Sequence, residues 1–231
     1  VHMSDADWSE RTIRDIVTSN PVAMQLFREH GIDFCCNGDR ELAEAVDQLE
    51  ISQKELYLAL DAIREKGHPA GLPDYAGMTA GELLDSILSR HHAWLWDNLA
   101  RIRSLLVQSL RADGQRHPEL YDMYKIFADL SGELEPHLVR EETEFAPLVV
   151  ENRDPKRRLM LMHALAENHA KTMDLTRKLR RAANGYALPP EADETRRDLY
   201  QILTQLDERL HDYVHLENNL LFPKLDEERN S

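Results

Sequence analysis

The chain has 231 residues, 42% of them hydrophobic and 6% aromatic, with a net charge of −14 at neutral pH. That length suits one large domain or a large and a small one, and the hydrophobic content can fill a core, which excludes wholesale disorder. The acidic balance argues against nucleic acid or an anionic membrane as partner, and no apolar run approaches the roughly 20 residues that a spanning helix needs. Val1-His2-Met3 reads as a tag remnant, and no signal-peptide pattern opens the chain. The two cysteines, Cys35 and Cys36, are neighbours rather than a disulfide framework, so a reducing cytoplasm is the expected location.

Strand signals are nearly absent, which predicts an all-α protein. Residues 1–66 read as a small helical domain. A linker over 67–75 follows, centred on Lys66-Gly67-His68-Pro69-Ala70-Gly71-Leu72-Pro73, and residues 76–231 form a larger domain. Thr79 and Glu82 make a capping box that opens its first helix, with a stripe through Leu84, Leu88, His92, Leu95, Leu99, Ile102 and Leu106. Pro118 is expected as the first residue of the second helix, whose stripe is Met123, Phe127, Leu130, Leu134, His137, Glu141 and Phe145. Pro136 is expected to kink it. The third helix runs from about Pro155 to Ala183 through Met162, Leu165, His169, Met173 and Thr176. The fourth follows Pro189-Pro190 and reads Leu203, Leu206, Leu210, Tyr213, Glu217 and Leu220. Loops too short for long crossovers predict an up-down-up-down four-helix bundle.

Each stripe is interrupted at one depth by polar groups: His92, His137 with Glu141, His169, and Tyr213 with Glu217. Unpaired carboxylates among leucines cost several kcal/mol or stay protonated. Metal ions remove that penalty, and imidazole with carboxylate is a ligand set that iron, manganese and zinc accept. The i, i+4 spacing places both members of each pair on one helix face. A single buried histidine is more often a hydrogen-bonded core residue; interruptions at matching depth in four helices favour metal. An internal repeat supports this, because His137 to Pro147 aligns without a gap on Tyr213 to Pro223, superposing Glu141 on Glu217. Two helix pairs then supply a pseudo-twofold site for two metals, with Tyr213 at a histidine's place. His91, His211 and His215 fall beside the stripes; His211 and His215, at i, i+4, could bind a metal together, but a solvated or supporting role is favoured for them. A ferritin-like site would need two Glu-x-x-His motifs, and only Glu208 with His211 forms one, off the core stripe.

The cysteines lie in a segment between two helices. A bond between adjacent cysteines would be strained and easily reduced. A helix starting near Asp39 would put both sulfurs by its N-terminus and favour thiolates. Two buried structural thiols are the plainer reading; the polar Asn37-Gly38-Asp39 that follows favours redox or metal-handling thiols, with Cys35 and Cys36 in thiol transfer.

At these residues the chain resembles the RIC (repair of iron centres) family of bacterial di-iron proteins. The small domain matches through Leu26-Phe27, Gly31-Ile32-Asp33, Cys35-Cys36, Gly38 and Leu42-Ala43. The bundle matches through His92, His137-x-x-x-Glu141, His169 and the run from His215 to Pro223. The resemblance implies a cytoplasmic, hemerythrin-like protein that helps restore iron–sulfur clusters damaged by nitrosative or oxidative stress, by iron or electron transfer. It implies two non-haem irons per chain, with His92, His137, His169, Glu141 and Glu217 as ligands and the glutamates as bridges. Implied partners are damaged iron–sulfur proteins or cluster-assembly machinery, and nitric oxide or oxygen as a small gaseous ligand, with a homodimer as a possible assembly. Nitric oxide or peroxide reduction, or gas binding and sensing, are the alternative functions. Two positions depart from the family: Tyr213 replaces a histidine, and Asn168 stands where an acidic residue is common, which would remove a proton donor. Direct Tyr213–iron coordination is expected, the rival being a phenol hydrogen-bonded to a ligand.

Overall fold

The computed structural model describes residues 8–47, 49, 51–67 and 73–230. The opening Val1-His2-Met3 and the middle of the expected linker, 68–72, lie outside them. The described residues form two compact units: those up to Thr79 together with Val214 onward, and Ala80–Tyr213.

In the first unit four helices follow one another: α1 (Ile13–Ser19), α2 (Ala23–Glu29), α3 (Leu42–Val46) and α4 (Gln53–Lys66). Thr12 caps α1 and Ser52 caps α4, each hydroxyl accepting an amide proton from three residues on. Gly67, at φ 72°, closes α4 in a left-handed conformation that a side chain would resist. Ile13, Ile16, Val17, Phe27, Leu42, Leu56 and Leu60 are buried. Trp8 lies with them and donates its indole N–H to Asp61. After α2 the chain turns back along α1, through amide bonds from Ile13 to Arg40 and from Arg14 to Gly38. The antiparallel bridge between Thr12 and Glu41 is the nearest approach to a strand among the described residues.

From Ala80 onward the chain forms four rods, the last of which passes at Val214 from the second unit into residues of the first. Helix one is α5 (Ala80–Ile87), a π-helical segment (Leu88–His92) and α6 (Ala93–Asp113). Helix two is α7 (Glu119–Arg140), a π segment (Glu141–Phe145) and α8 (Ala146–Val150). Helix three is α9 (Pro155–Ala182), without interruption. Helix four begins as α10 (Glu194–Leu216) and continues as a π segment (Glu217–Leu221) and α11 (Phe222–Asn230). Asp154 and Asp193 cap helices three and four, accepting from the amides of Arg157 and Arg196.

Cross-helix pairs run in opposite order along every seam. Helix one meets helix two through Arg103–Glu135 and His92–Glu142, and helix two meets three through Glu133–Asn168 and Glu144–Arg157. Helix three meets four through Arg180–Asp207 and His169–Tyr213, and four meets one through Arg196–Asp113 and Arg209 over Trp94. This is the expected up-down-up-down bundle. Helix one starts directly after Thr79, as expected. Pro118 sits just before the first residue of helix two rather than within it. The helix runs on through Pro136, and its departure from α geometry comes at Glu141–Phe145 instead. Leu88, expected in the core, is half-buried, and Ile87 is buried in its place.

Candidate metal centre

His92, His137, Glu141, His169 and Tyr213 come together in one buried layer of the bundle, none more than 4% exposed. Glu141 is the hub. One carboxylate oxygen lies 2.9 Å from His92 Nε2 and accepts the Tyr213 hydroxyl proton at 2.5 Å. The other lies 3.1 Å from His137 Nε2 and 3.8 Å from His169 Nε2. His137 Nε2 is also 2.6 Å from Tyr213 Oη and 3.2 Å from His169 Nε2. The imidazoles of His92, His169 and His137 meet the Tyr213 ring edge-on, at centroid distances of 5.4, 5.6 and 6.1 Å.

Burial alone would raise the Glu141 pKa, but the facing imidazoles, His137 foremost, hold it well below the ordinary carboxylate range. Burial pushes His137 down, while Glu141 pulls it the other way. A layer with an ionised carboxylate, three imidazoles whose Nε2 atoms converge, and a phenol is under-supplied with protons. Two nitrogens facing each other at 3.2 Å need a proton or a cation between them. The donor set therefore fits a hard or borderline metal ion.

The backbone is adapted at this layer. His92 ends one π segment, while Glu141 and Glu217 each begin another. Such one-residue expansions re-aim side chains and gather at functional sites. Helix three, which contributes His169 alone, has none. Glu217 follows Tyr213 by one turn and is fully buried. Asn168 donates to Glu133 at 3.1 Å, so an acidic group stands beside that position on helix two. His91 is buried, and burial together with the charge of Arg209 pushes its pKa to about 4. The π segments, and Glu142 and Trp96 beside His92, were invisible to helical periodicity.

The cysteines belong to the first unit, with the residues from Val214 onward. Asp33 organises their turn: its Oδ1 accepts from the amides of Cys35 (3.2 Å) and Cys36 (2.9 Å) and from the Cys35 thiol (3.4 Å). The sulfurs are 3.8 Å apart and reduced, with Cys35 buried and Cys36 half-buried. The next helix starts at Leu42, not near Asp39. The hydrogen bond with Cys36, followed by burial, pushes the Cys35 thiol well above its ordinary range. Within this unit the turn is tied to the residues after Val214. Asn218 and Asn219 donate to the Cys35 carbonyl at 3.1 and 3.3 Å, and Asn219 to the Phe34 carbonyl at 2.9 Å. Gly38 suits this place, because a Cβ would displace the Asn219 amide from its bonds. His215 is buried rather than solvated: it accepts from Asn219 at 3.0 Å, and burial lowers its pKa to about 4. His211 is held by the Asp207 carbonyl at 2.7 Å.

An antiparallel four-helix bundle with a layer of histidines and a glutamate across its interior is a hemerythrin-like bundle. Residues 83–225 match the hemerythrin HHE cation binding domain, and residues 9–64 match ScdA_N, a domain of unknown function. The iron–sulfur cluster repair protein ScdA of Staphylococcus haemolyticus is 30% identical, over 94% of this chain and 98% of its own. The iron–sulfur cluster repair protein YtfE of Escherichia coli O157:H7 is 25% identical, over 94% and 97%. The chain belongs to this family of iron–sulfur cluster repair proteins with a hemerythrin-like domain.

Proposed function

We propose that the protein repairs iron–sulfur clusters damaged by nitrosative or oxidative stress, by transferring iron or electrons from a non-haem di-iron centre. The observation that carries this reading is the convergence of His92, His137, Glu141, His169 and Tyr213 on one buried layer, in a chain whose relatives are named for cluster repair. In this reading these five side chains and Glu217 would hold two irons, the two glutamates supplying carboxylate oxygens. Iron in such a centre supplies one-electron chemistry and an affinity for small gaseous ligands such as nitric oxide or oxygen.

The chain's own groups prepare the site. Leu134, Leu138, Phe145 and Leu165 are buried on helices two and three and keep water from the layer. Glu141 accepts the Tyr213 O–H in a short hydrogen bond, which holds the phenol oxygen within the donor layer. Cys35 and Cys36, in the domain before residue 67, exchange iron or electrons with the centre or with a client protein. The site of action is the cytoplasm, and the clients are damaged iron–sulfur proteins or the cluster-assembly machinery.

The test joins metal analysis to reactivation. About two irons per chain, and recovery of a [4Fe–4S] dehydratase inactivated by nitric oxide, are the expected results. Steady consumption of nitric oxide with a supplied reductant, and no recovery of the dehydratase, would replace repair by reduction.

A further inference from the structure

Glu142 follows Glu141 at the start of the π segment of helix two and reaches across to helix one. Its Oε1 lies 3.0 Å from His92 Nδ1 and accepts the Trp96 indole N–H at 2.8 Å. The other ring nitrogen of His92, Nε2, faces Glu141 at 2.9 Å. The two nitrogens of one buried imidazole are thus divided between two consecutive glutamates, one inside the donor layer and one at its rim, 37% exposed.

We propose that Glu142 is a positioning residue for the metal centre, fixing His92 as the Nδ1–H tautomer with its Nε2 lone pair turned to the metal. The inference rests on the metal-centre reading above and adds to it a residue that makes no contact with metal. An ionised carboxylate accepts hydrogen bonds and donates none, so a neutral His92 facing Glu142 carries its proton on Nδ1. The remaining lone pair is then on the nitrogen that points into the layer of His137, His169 and Tyr213. A hydrogen-bonded carboxylate also makes the imidazole a stronger donor to a cation, the arrangement that supports metal-bound histidines in general. Trp96 completes the device. It lies four residues after His92 on the same face of helix one and donates to the same oxygen, so a side chain with three rotatable bonds is held toward the histidine.

The experiment is a cobalt(II) titration of the full chain as wild type, Glu142→Ala, Glu142→Gln and Trp96→Phe, with proton spectra of the cobalt-loaded forms. Glu142→Ala should weaken cobalt binding about 10- to 100-fold, the usual effect of losing such a partner, with smaller losses in Glu142→Gln and Trp96→Phe. The paramagnetically shifted Nδ1–H signal of His92 should be present in wild type and lost to solvent exchange in Glu142→Ala. Melting of the metal-free alanine variant at the wild-type temperature shows that the fold is kept. Wild-type affinity in Glu142→Ala, or weaker binding with the His92 signal unchanged, overturns the proposal. A wild-type protein that takes up no cobalt would instead overturn the metal-centre reading on which it stands.

Discussion

Tyr213 occupies the place that the internal repeat assigns to His137, and its hydroxyl touches both His137 and Glu141. A buried phenol needs a partner for its oxygen, and here it has two within 2.6 Å. Next to a ferric ion the phenolate form is favoured, as coordination favours a deprotonated thiol or water. The oxidised iron-loaded protein should therefore show an intense visible phenolate-to-iron band, which Tyr213→Phe removes while most of the iron stays bound. An iron-loaded Tyr213→Phe protein with the wild-type visible spectrum would leave the phenol as a hydrogen-bonding group only. The cysteines differ from each other just as sharply. Cys35 is 1% exposed and its thiol is pushed well above the usual range, whereas Cys36 is half-buried. Because the thiolate is the reactive form, iodoacetamide at pH 8 should label Cys36 at least about tenfold faster than Cys35. A raised pKa lowers the thiolate fraction at every pH below it, so Cys35 labelling should still climb above pH 9. Peptide mapping over time measures both; equal rates would contradict the burial of Cys35.

At the scale of elements, apolar spacing announced all four bundle helices, because a core-facing stripe repeats every three or four residues whatever lies opposite. The π segments were not legible. One extra residue in a turn breaks the stripe no more than an ordinary substitution does, and only the hydrogen-bond ladder reveals it. The exchange of Leu88 for Ile87 in the core is the visible consequence. The start of α3 at Leu42 was also hidden, since Asp33 rather than Asp39 arranges the turn that precedes it. A further feature without periodicity is the ion pair joining the ends of helices one and four. Asp113 lies 3.1 Å from Arg196, whose side chain is 3% exposed. Removing one partner of such a pair leaves a buried charge, at a cost of about 3–5 kcal/mol. Asp113→Ala should lower stability by that amount in urea unfolding. A change below about 1 kcal/mol, the value of an exposed pair, would show that water reaches Arg196.

For the whole molecule, metal and fold are linked through the buried layer. A ligand that binds only the folded chain stabilises it by about 2.7 kcal/mol at 100 times its dissociation constant. Iron loading should therefore raise the melting temperature, and a chelator should reverse the rise. Glu141→Ala and Glu217→Ala should each lose metal as well as activity and make melting insensitive to the chelator; two irons retained in both would end their assignment as bridges. Replacing Cys35 and Cys36 together by serine should leave the metal of the bundle in place and abolish cluster repair. Unchanged repair would make them structural thiols. The all-α class, the four rods, their alternating direction and the candidate residues His92, His137, Glu141, His169, Tyr213 and Glu217 were all contained in the linear sequence. Helix periodicity and the cost of burying unpaired polar groups are local properties that a spacing pattern carries. Only the tertiary structure decided that Glu141 is the hub, that one Glu142 oxygen lies against both His92 and Trp96, and that Asn218 and Asn219 hold the cysteine turn. Those contacts join residues as many as 185 positions apart, and which atoms meet is set by the packing of whole helices rather than by any one of them.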